Sequence, residues 1–176
     1  LAAFTDTSVA NLSSIVVLAR SGGREMLLTG DARGDKILKG MEQVGVLRPG
    51  GTRHVDLLKV PHHGSDRNMA TSFFQRITAD HYVFSGDGEH GNPERETFRM
   101  LLDARGDAAF TVHLTYPVDE IDAERKAEAK QDRKPWSDRK NSLGSFLADH
   151  PGFARRIRVV DSAKPHVIDL RDPLGY

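Results

Sequence analysis

Residues 55–65 read Val55-Asp56-Leu57-Leu58-Lys59-Val60-Pro61-His62-His63-Gly64-Ser65, and this stretch decides the fold. Its apolar first half predicts a buried strand, which Pro61 closes. Two adjacent histidines follow at the strand's end. Neighbouring strand residues point to opposite faces, so both rings reach one site only where the chain has already bent. Pro61 and Gly64 supply residues suited to such a bend. The neutral imidazole is the commonest metal ligand in proteins; a pair of surface or core-satisfied histidines is the bland alternative.

Working upstream, residues 14–20 and 25–29 are two short apolar runs around Ser21-Gly22-Gly23, the pattern of a β-hairpin. Gly30-Asp31 ends the second run. A carboxylate there either faces a cleft from a rigid strand end or caps the helix that follows. That helix is predicted over 34–46, where Ile37, Leu38, Met41, Val44 and Val46 fall near helical spacing. Downstream, a short helix is expected over 69–78 and a strand over 81–85. The loop Ser85-Gly86-Asp87-Gly88-Glu89-His90-Gly91-Asn92 comes next. Pro93 opens a further helix and residues 109–115 alternate as a strand. Strands alternating with helices predict an α/β layered core.

The texture changes near residue 117. Residues 119–134 are charge-dense with a single apolar isoleucine, which reads as a solvated helix or a linker. A helix over 141–147 and strands over 156–160 and 166–170 are expected after it. Three segments result: a core over 1–116, a charged linker or helix over 117–140, and a C-terminal extension over 141–176.

Composition narrows the chemistry. Lysine plus arginine and aspartate plus glutamate both number 25, so the neutral chain carries no footprint for tight, nonspecific nucleic-acid binding. Cysteine is absent, which leaves histidine and carboxylate as the metal donors. The apolar run Ser14–Ala19 is too short to span a bilayer, and the N-terminus lacks the pattern of a secretory leader. A cytoplasmic location is expected.

Asn11-x-x-Ser14-Ile15-Val16-Val17-Leu18, Leu28-Thr29-Gly30-Asp31, Val60-Pro61-His62-His63-Gly64-Ser65, and then Ser85 with His90-Gly91-Asn92-Pro93 follow in that order. The series resembles the second half of metallo-β-lactamase-fold hydrolases, in particular the branch with the C-terminal domain of the DNA-uptake protein ComEC. The likeness spans roughly residues 10–105. It implies the C-terminal half of an αββα sandwich with a C-terminal extension. It implies one or two divalent ions, zinc or manganese, with Asp31 as a bridging carboxylate and His62 as the last metal-binding histidine. His63 would be a neighbour that orients the site or touches substrate, and either of His62 and His63 remains open as the ligand. His90 would stand at the mouth, facing a substrate oxyanion, so His63 and His90 are the candidate catalytic residues. Asn11 occupies the place where other branches carry a metal-binding histidine; Ser65 and Ser85 are further candidates.

The chain departs from the family pattern in one large respect. Its histidines lie at 54, 62, 63, 81, 90, 113, 150 and 166, and none form the hallmark His-x-His-x-Asp-His segment. The expectation is a hydrolase fragment acting on phosphoesters, with a small phosphoester or nucleotide as substrate. Its partner would be an N-terminal half upstream in the parent chain, without which the fragment should be inactive. A noncatalytic binding or interaction module derived from the same fold is the alternative.

Overall fold

A computed structural model describes residues 4–161 and 163–171. A single turn of helix, α1 (Val9–Leu12), precedes strands β1 (Val17–Ser21) and β2 (Arg24–Leu28). These pair antiparallel across Gly22-Gly23, both at positive φ (57° and 79°), the backbone that a tight hairpin turn demands. Then follow α2 (Gly34–Gln43), β3 (Arg53–Lys59), α3 (Thr71–Arg76), β4 (Ile77–Phe84), α4 (Arg95–Arg105) and β5 (Thr111–Leu114). The charge-dense stretch forms α5 (Val118–Gln131), held to the core by Ile121, which is fully buried. Short helices α6 (Asp138–Asn141), α7 (Leu143–Asp149) and α8 (Pro151–Ala154) lead to β6 (Ile157–Val159).

The fold is α/β. Its six strands lie in the order β1-β2-β3-β4-β5-β6, parallel from β2 onward. This order decides where the core sits. Crossovers between parallel strands are right-handed, so a sheet that adds each strand on the same side puts every crossover helix on one face. The register row Leu27–Leu58–Tyr82–Val112 points to that face and is completely buried. It packs with Ile37 and Met41 of α2, Phe73 and Phe74 of α3, and Phe98 and Leu101 of α4. Phe84 and Phe98 stack with ring centres 4.3 Å apart.

The opposite face has no helical layer among the described residues. Its rows include Met26–Leu57–His81–Thr111 and Lys59–Val83–His113–Arg158. Val17 and Leu28 at its β1–β2 end are exposed; Val16 is exposed on the helix side, beside Leu18 and Ile37, and both Leu18 and Leu58 pack with the core. The extended stretch 163–171 crosses the open face. His166 Nε2 lies 2.9 Å from His113 Nδ1, and Asp169 is near enough to Arg24 to feel its charge. The strand expected over 166–170 does not form; this stretch lies over the sheet and extends no edge. No helix of the described residues is long and apolar enough to cross a membrane.

Candidate functional site

Parallel sheets gather ligands at the carboxyl ends of their strands. At the end of β2, Thr29 Oγ1 donates to Lys59 O (2.7 Å), locking this strand end to that of β3. Asp31 follows, and its amide donates to Ser14 Oγ at 3.2 Å. Asp31 does not cap α2: the helix starts three residues later, with Arg33 at the cap position. Its carboxylate is left about one-third exposed (37%) beside the histidine turn.

That turn is made by the histidines themselves. His62 and His63 both take left-handed backbone angles, at φ 45° and 55°, and Gly64 follows at 91°. Non-glycine residues pay for this conformation, on the order of 1–2 kcal/mol each. The bend expected from Pro61 and Gly64 therefore also runs through both histidines. His62 N donates to Gly30 O (3.0 Å), tying the turn to β2, and Glu94 N and Thr97 Oγ1 donate to Gly64 O. A Cβ at position 64 would sit 2.7 Å from the Phe84 ring and 2.9 Å from Pro93, so only glycine fits.

The two rings then diverge. His63 Nδ1 lies 3.0 Å from Ser85 Oγ, at the end of β4, while its Nε2 faces Asp31 Oδ1 at 3.4 Å. Burial, and then the nearby Lys59 charge, pull the His63 pKa below its ordinary value. Both effects favour the neutral ring, against the opposing pull of Asp31. Lys59 donates to Gly30 O at 3.1 Å; its pKa is lowered by burial, against the opposing pull of Asp31.

His62 turns the other way, into a polar network. Its Nδ1 lies 2.9 Å from Asn68 Oδ1 and 3.4 Å from Asp6 Oδ2. Asn68 and Asn11 both donate to that same Asp6 oxygen, at 3.0 and 2.8 Å. Burial works to raise the Asp6 pKa, but hydrogen bonds from Asn11, the Ser8 amide and Asn68, with the His62 charge, bring it down to about 2. Asp6 and Asn68 have no signature in the sequence that points to the site. Asn11, at the place where other branches of the resembling family carry a metal-binding histidine, donates to Asp6.

His90 sits in a loop with positive φ (56°) and is highly exposed. It lines a cavity of about 610 Å³ with His62, Asn11, Ser65 and Glu94. Asp31 and His63 are not among the residues that line this cavity, and the nearest charged partner of His90 is Glu128 at 3.9 Å. Glu94 accepts from Asp66 N (2.6 Å); burial, with Asp66 beside it, raises its pKa to about 7.

Donor chemistry bears on a metal here. Two ligands each about 2.05 Å from a tetrahedral ion stand about 3.4 Å apart. The Asp31–His63 separation matches that bite, and a histidine whose other nitrogen is hydrogen-bonded is oriented as metal-ligating histidines are. Two donors are half a shell. Among the described residues, no group of three or more histidine, cysteine, aspartate or glutamate side chains is arranged to hold an ion. No reaction step through a metal follows from this chain's residues alone.

No family model matches the chain. No solved structure matches it either. Two curated proteins share short stretches with it. The microtubule-associated protein futsch of Drosophila melanogaster is 40% identical over 52 residues, which is 30% of this chain and 1% of that protein. The human microtubule-associated protein 1A is 33% identical over 67 residues, 38% of this chain and 2% of that protein. The chain therefore spans a very small part of the length of either.

Proposed function

We propose that the chain is the second half of a metal-dependent hydrolase of the metallo-β-lactamase fold, acting on a phosphoester. An N-terminal half would supply the remaining ligands and cover the open face of the sheet. The observation that carries this is the Asp31–His63 pair at adjacent strand ends, 3.4 Å apart, with Ser85 fixing the far side of the ring. A zinc or manganese ion bound there would supply a polarised water. Asp31 and His63 Nε2 would hold the ion. His62, engaged by Asp6 and Asn68, would shape the wall of the cleft. His90, exposed on the wall of the His62 cleft, would donate to charge that develops on the oxygen of a substrate extending from the metal corner into that cleft.

The test is hydrolysis of a chromogenic phosphodiester by this chain complemented with its N-terminal half, in zinc or manganese. Asp31→Ala should abolish turnover and weaken metal binding. His90→Ala should lower turnover and leave metal content intact. Turnover indifferent to Asp31→Ala would overturn the reading. Turnover by residues 1–176 alone that disappears with Asp31→Ala would overturn its half-domain part.

The second reading, a noncatalytic interaction module, draws on the two short likenesses, since both of those proteins are named for microtubule association and not for hydrolysis. Under that reading the complemented protein binds no zinc at Asp31 and turns over no phosphoester.

A further inference from the structure

A second cavity, of about 670 Å³, opens between α4, α5 and the α6 turn, on the far side of Glu94 from the His62 cleft. Arg95, Arg99, Arg125, Arg139 and Lys140 line it, together with Asp66, Glu94, Glu96 and Asp149. Such a mixture is often only an ion-pair network, and the geometry distinguishes the two cases.

Elsewhere in the molecule arginines meet carboxylates closely: Arg20–Glu25 at 2.8 Å, Arg24–Asp56 at 2.8 Å, Arg33–Asp35 at 2.7 Å and Arg76–Glu42 at 2.7 Å. Around this cavity the pairs are loose. Arg95 is 3.9 Å from Asp149, Arg99 is 3.6 Å from Glu96 and Arg125 is 3.5 Å from Asp122. Asp122 is already committed, accepting from the Leu143 and Gly144 amides at the start of α7. The guanidinium groups are positioned by other means. Arg95 and Arg99 both lie over the Phe146 ring, at 5.6 and 5.8 Å, and Arg125 lies over Trp136 at 5.5 Å. Arg95 and Arg125 donate to the carbonyls of Arg139 and Asn141. A neutral carbonyl holds a guanidinium in place without cancelling its charge. Arg125 is buried (9% exposed); its Nε is sealed against protein without a hydrogen-bond partner, which leaves the terminal nitrogens as the groups that face the cavity. Asp122, Glu94 and Asp66 act on its charge, none of them in a close bidentate pair.

We propose that this cavity is a binding site for a phosphate dianion, either free or at the end of an ester. Planar guanidinium groups held at fixed angles suit phosphate oxygens. The site is separate from the Asp31–His63 corner and stands whether or not that corner binds metal.

The experiment is calorimetric titration of residues 1–176 with inorganic phosphate in chloride buffer of constant ionic strength, without metal. Saturable binding at one site is expected. Each charge-assisted bond lost costs about tenfold in affinity, so Arg99→Gln should weaken binding by about that factor and Arg125→Gln by more. Because Arg125 also helps hold α6, circular dichroism checks its fold, and the partly exposed Arg99 supplies the independent variant. At pH 8, above the raised pKa of Glu94, Glu94→Gln removes a competing negative charge and should tighten binding. Asp31→Ala should leave it unchanged. A nucleoside 5′-monophosphate that binds more tightly than phosphate identifies an ester as the ligand; equal affinity identifies free phosphate. Absence of saturable phosphate binding overturns the proposal, as does binding that survives Arg99→Gln unchanged or disappears with Asp31→Ala.

Discussion

The two faces of the sheet are built to different rules. One is dry: Leu27, Leu58, Tyr82 and Val112 form an unbroken buried row under three crossover helices. The other carries Lys59, His81, His113 and Arg158 among apolar neighbours, and one extended stretch is the cover that the described residues give it. Strand order alone produces this asymmetry, because a monotone parallel sheet with right-handed crossovers has nowhere else to put its helices. The stability of the chain should therefore reside on one face and its capacity to receive a partner on the other.

The largest effect should come from the dry face. Phe84→Ala removes a fully buried ring that stacks on Phe98, and should cost about 3–5 kcal/mol in urea unfolding. A loss below about 1 kcal/mol would mean that the core is not where the topology puts it. Gly64→Ala comes next, at about 1–3 kcal/mol, because it adds a Cβ against Phe84 at a backbone angle that alanine resists.

The open face should respond to pH. Burial, with the charges of His81, His166 and Arg158, lowers the His113 pKa from 6.5 to about 4. Between those values the unfolded chain binds the extra proton, so this stability is present above about pH 6.5 and is lost as pH falls toward 4. Glu94 acts in the opposite sense. Its carboxyl is raised from 4.5 to about 7, so the folded state gains stability as pH falls through that range. The two effects oppose each other in the parent, which makes the difference from a variant the informative quantity. Between pH 7 and 5, His113→Gln should lose about 2 kcal/mol less stability than the parent. Identical pH profiles would remove His113 from the account. Smallest of all, Leu28→Ala on the exposed β1–β2 edge should change the stability of this chain by no more than about 0.5 kcal/mol. If the proposed N-terminal half packs there, the same substitution should weaken its association.

Legibility in the sequence follows the same division. The α/β alternation, the Gly22-Gly23 hairpin and the strand-end positions of Asp31 and the two histidines could be read from local pattern. The way the histidines part company could not. It depends on Ser85 taking one ring and on Asp6 and Asn68 taking the other, and Asp6 meets Asn68 across 62 positions with no shared motif. Helix α5 was ambiguous because hydrophobic periodicity finds only Ile121 there. Its second buried residue is Arg125, lying over Trp136, a contact that periodicity does not register. The strand expected over 166–170 has the right residues and no partner to pair with; its His166 finds His113 on the open face.

The central claim is that Asp31 and His63 form half of a metal shell. Long-range nitrogen NMR of the imidazole rings during a zinc titration of residues 1–176 tests it most directly. The account predicts weak binding in which His63 Nε2 responds first, Nδ1 keeps its hydrogen bond to Ser85, and Asp31→Asn abolishes the response. Zinc that perturbs His62, His90 or His113 while leaving His63 Nε2 unmoved would contradict it.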